Sequence, residues 1–180
     1  MTVPAPLAPL VRIAGAPGAG KTLLVTALAE VFRARGVRIA SAERRPDGVT
    51  AFVLSNGGRA TLEGDQPLDR LPAVLRALDP AARLLLVEGY PAPADGLLPP
   101  TVEVLMWGVG AETPRAALVA TVDGAALLRQ FQRTGPKDAG LAAEVADAVQ
   151  ARVLRQDAGT KAATAGGRLS RVVRRWLRRG

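Results

Sequence analysis

Residues 15–22 read Gly15-Ala16-Pro17-Gly18-Ala19-Gly20-Lys21-Thr22, the G-x-x-x-x-G-K-T spacing of a phosphate-binding loop. Such a loop works only as the joint between a buried strand and the first turn of a helix. There the backbone amides and the positive end of the helix converge on an anion. The glycines let the backbone turn and aim its donors inward. The amides of Gly18, Ala19, Gly20, Lys21 and Thr22 are the expected donors. Lys21 supplies a point charge for the outer phosphates, and the Thr22 hydroxyl is a Mg²⁺ ligand. Pro17 carries no N–H and stiffens the turn.

The flanks agree with the motif. Leu10-Val11-Arg12-Ile13-Ala14 is short and mostly apolar, as a buried strand should be. After the loop, Leu23, Leu24, Ala27, Leu28, Val31 and Phe32 form one face of a helix that stops near Gly36. The expected phosphate-contacting set is therefore Gly15, Gly18, Ala19, Gly20, Lys21, Thr22 and Leu23.

Further along, residues 37–40 predict a second strand and 41–48 a polar loop containing Arg44, Arg45 and Asp47. Residues 49–54 and 59–62 predict two strands joined by Asn56-Gly57-Gly58, a strong hairpin signal. Leu68, Leu71, Leu75 and Leu78 mark a helix that ends near Asp79-Pro80. Four consecutive apolar residues at 84–87, followed by Glu88, predict a central strand buried on both faces. An acid at the carboxyl end of such a strand stands where open α/β sheets bind ligands. Glu88 is accordingly assigned, with Lys21, to the chemistry of the site, and with Thr22 to the metal. Residues 90–100 form a proline-rich loop, 102–107 and 117–122 two more strands, and 125–132 and 141–154 two more helices. Asp123 is expected to cap the first of these helices. The alternation predicts an α/β fold of the three-layer P-loop NTPase type. Its sheet is mostly parallel, with an antiparallel hairpin excursion and helices on both faces.

Composition restricts the chemistry. The 180 residues contain no cysteine and no histidine, so a metal must be held by oxygen, which favours Mg²⁺. No apolar run approaches the roughly 18 residues of a membrane span. The start of the chain lacks the basic opening of a secretory signal, and a cytoplasmic location is expected. The net charge of +8 is unevenly spread. Residues 161–180 hold seven basic side chains and no acid, leaving 17 basic against 16 acidic residues in the rest. The expected organisation is a nucleotide-binding domain at 8–157, then a linker and a basic helix at 158–180. In that tail Leu169, Val172, Val173, Trp176 and Leu177 would share one helical face and six arginines the other. Such a helix could pack on its own domain, contact an acidic partner, or attach the protein peripherally to an anionic membrane surface.

Several segments, taken in order, resemble the MobB family of GTP-binding adapter proteins in molybdopterin-guanine dinucleotide biosynthesis. They are the loop at 15–22, ARGVRIA at 34–40, FVLSNGGRATLEGD at 52–65, LLLVEGY at 84–90 and PTVEVL at 100–105. The resemblance spans about residues 8–125. It implies GTP and Mg²⁺ as ligands, weak intrinsic GTPase activity, a homodimer, and a molybdenum-cofactor nucleotidyltransferase as partner. It also implies that Gly15, Gly20, Lys21 and Thr22 bind phosphate and Mg²⁺, with Glu88 in a second metal-facing position. The chain departs from the family after the second strand, where the basic-histidine motif and longer acidic switch are reduced to residues 42–48. Asp47 is the expected replacement metal ligand, and Glu43 the other candidate. Hydrolysis is therefore expected to be weak or absent. No N-K-x-D guanine signature occurs, so ATP remains an alternative to GTP. Two other functions fit the same loop: a small ATP-dependent kinase with Arg44 and Arg45 clamping a phosphoryl group, and a non-hydrolysing scaffold that docks to a partner enzyme.

Overall fold

A computed structural model describes residues 7–64, 66–91, 101–107, 117–135 and 140–154. The linker and basic tail expected at 158–180, and most of the proline-rich loop, lie outside the described residues.

Seven strands form one sheet in the order β4-β3-β2-β5-β1-β6-β7. The strands are β1 (Leu10–Ala14), β2 (Ile39–Arg44), β3 (Thr50–Val53), β4 (Arg59–Leu62), β5 (Leu84–Glu88), β6 (Thr101–Trp107) and β7 (Ala117–Asp123). Strands β2, β5, β1, β6 and β7 run parallel, each to its neighbour. β3 runs antiparallel to both β2 and β4. The fold is thus α/β, with a mostly parallel sheet and an antiparallel excursion at one edge.

Helices cover both faces. On one face α1 (Lys21–Ala34), α3 (Gly124–Thr134) and α4 (Gly140–Val149) bury Leu24, Leu28, Phe32, Leu127, Val145 and Val149 against alternate residues of β1, β5 and β6. On the other, α2 (Leu71–Leu78) buries Leu71 and Leu75 against Ala40, Ala42, Phe52, Leu85 and Val87. Period-2 alternation divides each central strand between the two cores. Val11 and Ile13 face α1, while Leu10 faces α2. β5 is buried along its whole length, which explains its unbroken run of leucine and valine.

The second strand departs from expectation. It continues to Arg44, through the stretch expected to be loop, and only residues 45–49 form the turn into β3. Its outer half is polar because β3 covers only its edge and leaves part of its surface in water. The backbone hydrogen bonds of β5 on one side and β3 on the other hold it as strand regardless. This extension carries Glu43 into the sheet.

Candidate functional site

The site is built where β1 runs into α1. At Gly15 the backbone has φ +145°, and a Cβ there would lie 2.8 Å from the Met106 Cβ and 3.1 Å from its carbonyl oxygen. Only glycine lets the root of the loop lie this close to β6. Ala19 N–H donates to the Ala16 carbonyl at 3.2 Å, closing the turn. The start of α3 braces the loop from outside: a Cβ on Gly124 would lie 2.1 Å from the Ala19 carbonyl oxygen.

Helix α1 begins at Lys21 and has no side-chain cap. Its first intrahelical bond at this end is Leu24 N–H to the Gly20 carbonyl, at 3.0 Å. The amides of Lys21, Thr22 and Leu23 precede that bond and are available to an anion. Lys21 Nζ arches back and donates to the carbonyls of Gly15 and Ala16, each at 2.8 Å. The ammonium is thereby held over the loop by weak neutral acceptors, which a phosphate oxygen would outcompete.

Glu88 ends β5 on the same face. Thr22 Oγ1 donates to its Oε2 at 3.0 Å. The Glu88 side chain is buried, and desolvation raises its pKa above the usual carboxylate range; the Thr22 hydrogen bond opposes the shift, Glu43 adds to it and Lys21 opposes it. Thr22 and Glu88 are hard oxygen donors side by side, which suits Mg²⁺. Among the described residues no group of three or more Asp, Glu, His or Cys could hold a metal unaided. Phosphate oxygens and water would therefore have to complete a Mg²⁺ shell, the usual arrangement for this ion.

Lys21, Thr22, Glu88 and the loop glycines are thus brought together, while Asp47 is not seen with them. It lies exposed in the β2–β3 turn, where its Oδ1 accepts the Val49 N–H at 3.0 Å. An Asx turn of this kind is a local task for that carboxylate. Glu43 instead pairs with Glu88 across the β2–β5 ladder and acts on its charge. Parallel neighbours share a face, so Glu43 is the second acid of the site. The clue lay in the strand length, since with β2 ending at residue 40 Glu43 has no defined partner.

Arg44 alternates to the opposite face and pairs across the ladder with Thr50. That orientation removes half of the proposed phosphoryl clamp. Asp123 caps α3, its Oδ1 accepting from Ala125 N–H at 2.8 Å and Ala126 N–H at 3.1 Å.

Sequence reasoning missed one buried pair. Arg12 and Glu103 face each other across β1 and β6, with Nη1 and Oε1 2.6 Å apart and both side chains at most 1 % exposed. Arg12 Nε also donates to the Tyr90 carbonyl at 2.9 Å, and the Tyr90 hydroxyl shares a 2.6 Å hydrogen bond with Thr50 Oγ1. The available signal was a lone arginine inside an apolar strand, which requires a buried acid somewhere.

No helix among the described residues is long and apolar enough to cross a membrane. No protein-family model matches the chain, and no curated protein does. Among solved structures the chain is similar to Bacillus subtilis MobB, with 18% identity and a TM-score of 0.39 over 69% of this chain and 96% of that one.

Proposed function

We propose that this chain is a Mg²⁺-dependent GTP-binding adapter of MobB type that serves molybdenum cofactor biosynthesis by binding its nucleotide and docking to a nucleotidyltransferase. Hydrolysis is slow or absent. The observation that carries the nucleotide part is the convergence of Lys21, Thr22 and Glu88 at the carboxyl ends of β1 and β5. In this arrangement the loop amides hold the phosphates, Lys21 neutralises their outer charge, and Thr22 with Glu88 faces the metal. The adapter part is supported by the ordered landmarks at 15–22, 34–40, 52–65, 84–90 and 100–105. Slow turnover is favoured by the short β2–β3 turn, whose one acid, Asp47, bonds its own backbone. The kinase alternative loses ground because Arg44 turns away from the loop.

The test is a titration of purified protein with fluorescent GTP and ATP analogues, with and without Mg²⁺, followed by phosphate release. Mg²⁺-dependent preference for GTP with little release is the expected result. Preference for ATP, with phosphoryl transfer to an added acceptor, would overturn it in favour of a kinase.

A further inference from the structure

We infer that Glu43 is a specificity-determining residue that makes the site discriminate against a polyphosphate lacking its divalent cation; this rests on the nucleotide-binding function proposed above. The register of β2 on β5 sets Glu43 beside Glu88 on the face occupied by Thr22. The charges acting on Glu88 are those of Glu43 and Lys21. At Glu88, two carboxylates therefore stand against one ammonium, and their side-chain charge is negative when both acids are ionised.

A phosphate-binding loop ordinarily gains from a positive surround. Here the loop amides and Lys21 attract the phosphates while Glu43 and Glu88 repel them. A bound Mg²⁺, held by Thr22 and Glu88, would offset that repulsion, because its charge would be attracted by both acids. Arg44 alternates to the other face, and no described ion pair includes Glu43. Unlike Glu88, Glu43 is exposed, so it acts through the field in solvent rather than by direct ligation. Its influence is consequently moderate and salt-sensitive.

The experiment measures the affinity of the full chain for a fluorescent GTP analogue in Mg²⁺ and in EDTA, at low and high salt. The wild type is compared with Glu43→Gln, Glu43→Lys and Lys21→Ala. Glu43→Gln should strengthen binding in EDTA by about 5- to 10-fold at low salt and change binding in Mg²⁺ by less than about twofold, with the EDTA gain shrinking as salt rises. Glu43→Lys should strengthen binding in EDTA further, which separates charge from any loss of packing. If Glu43→Gln weakens Mg²⁺-loaded binding and leaves binding in EDTA unchanged, Glu43 is a metal ligand and the inference is overturned. Unchanged affinity in both conditions also overturns it. Wild-type protein that binds in neither condition, or binds as well after Lys21→Ala, would instead bring down the nucleotide-binding function itself.

Discussion

Glu88 and Glu103 end up on the two strands that flank β1, both buried, in opposite electrostatic settings. Glu103 lies on the side of the sheet away from the loop and has the Arg12 guanidinium 2.6 Å away. Glu88 lies on the loop side and has a hydroxyl for its hydrogen-bond partner, with a second acid nearby. The first carboxylate is neutralised by the chain itself. The second belongs to no ion pair among the described residues. The same residue type on the two neighbours of β1 thus closes an ion pair in one place and lacks one in the other. What separates the two is direct contact with a cation: Arg12 touches Glu103, whereas Lys21 acts on Glu88 only through its field.

The comparison can be broken most forcefully at the satisfied pair. Arg12→Met leaves Glu103 buried without its cation and should cost about 3–5 kcal/mol of stability, read as a fall in the urea midpoint. Adding Glu103→Leu to that variant should recover much of the loss, because the uncompensated charge is then gone. Failure of the double variant to recover would mean that the pair does more than balance charge. At the Glu88 end of the molecule, Lys21→Ala should weaken triphosphate binding by on the order of 100-fold, since in the proposed function the ammonium would make charge-assisted contacts to the outer phosphates. Unchanged affinity would remove Lys21 from the site.

A third carboxylate sharpens the contrast. Asp79, at the end of α2, accepts the Ser55 N–H at 2.6 Å and ties the helix to the β3–β4 hairpin. Burial pushes its pKa up, but hydrogen bonds from Ser55 and the amides of Ala81 and Ala82 outweigh this and hold it below the usual value. The lowered pKa means that the ionised form favours folding. This contribution is present above the ordinary carboxylate pKa and is lost as pH falls through the lower folded value. Asp79→Ala should therefore cost about 1–3 kcal/mol near neutrality, with the difference from wild type closing in acid. An equal difference at every pH would assign the loss to packing.

Glu88 has the opposite sign and the smallest expected effect. Its raised pKa means that the folded protein holds this proton more tightly than the unfolded chain does. The associated stability is present below the unfolded pKa and is lost as pH rises through the folded one. Glu88→Gln should therefore raise the melting temperature of the nucleotide-free protein at neutral pH, and the gain should vanish in acid. The same variant should bind triphosphate with weaker dependence on Mg²⁺. A lower melting temperature at neutral pH would show that Glu88 is already satisfied, as Glu103 is.

Much of the architecture was legible because local patterns carried it. The loop at 15–22, the apolar run before Glu88 and the Asn56-Gly57-Gly58 turn each specify their own geometry over a few residues, and β1, α1, β5 and the β3–β4 hairpin appear where those patterns put them. The capping role of Asp123 was equally local. The end of β2 was not legible, because Ser41, Glu43 and Arg44 are held as strand by neighbours far away in the chain rather than by their own preferences. For the same reason Asp47 stands ahead of Glu43 in the sequence as the acid after the second strand, while the turn ties Asp47 to its own backbone and the ladder sets Glu43 beside Glu88.

The sequence by itself determined that a loop of G-x-x-x-x-G-K-T spacing joins a buried strand to a helix, and that an acid closes the strand ending at Glu88. Periodicity and turn chemistry act within a dozen residues, and those features lie inside that range. The tertiary structure alone decided which charges meet. Arg12 and Glu103 are 91 residues apart, and Thr22 and Glu88 are 66 apart. Such meetings depend on strand order and register, where a slip of one residue sends every side chain to the other face.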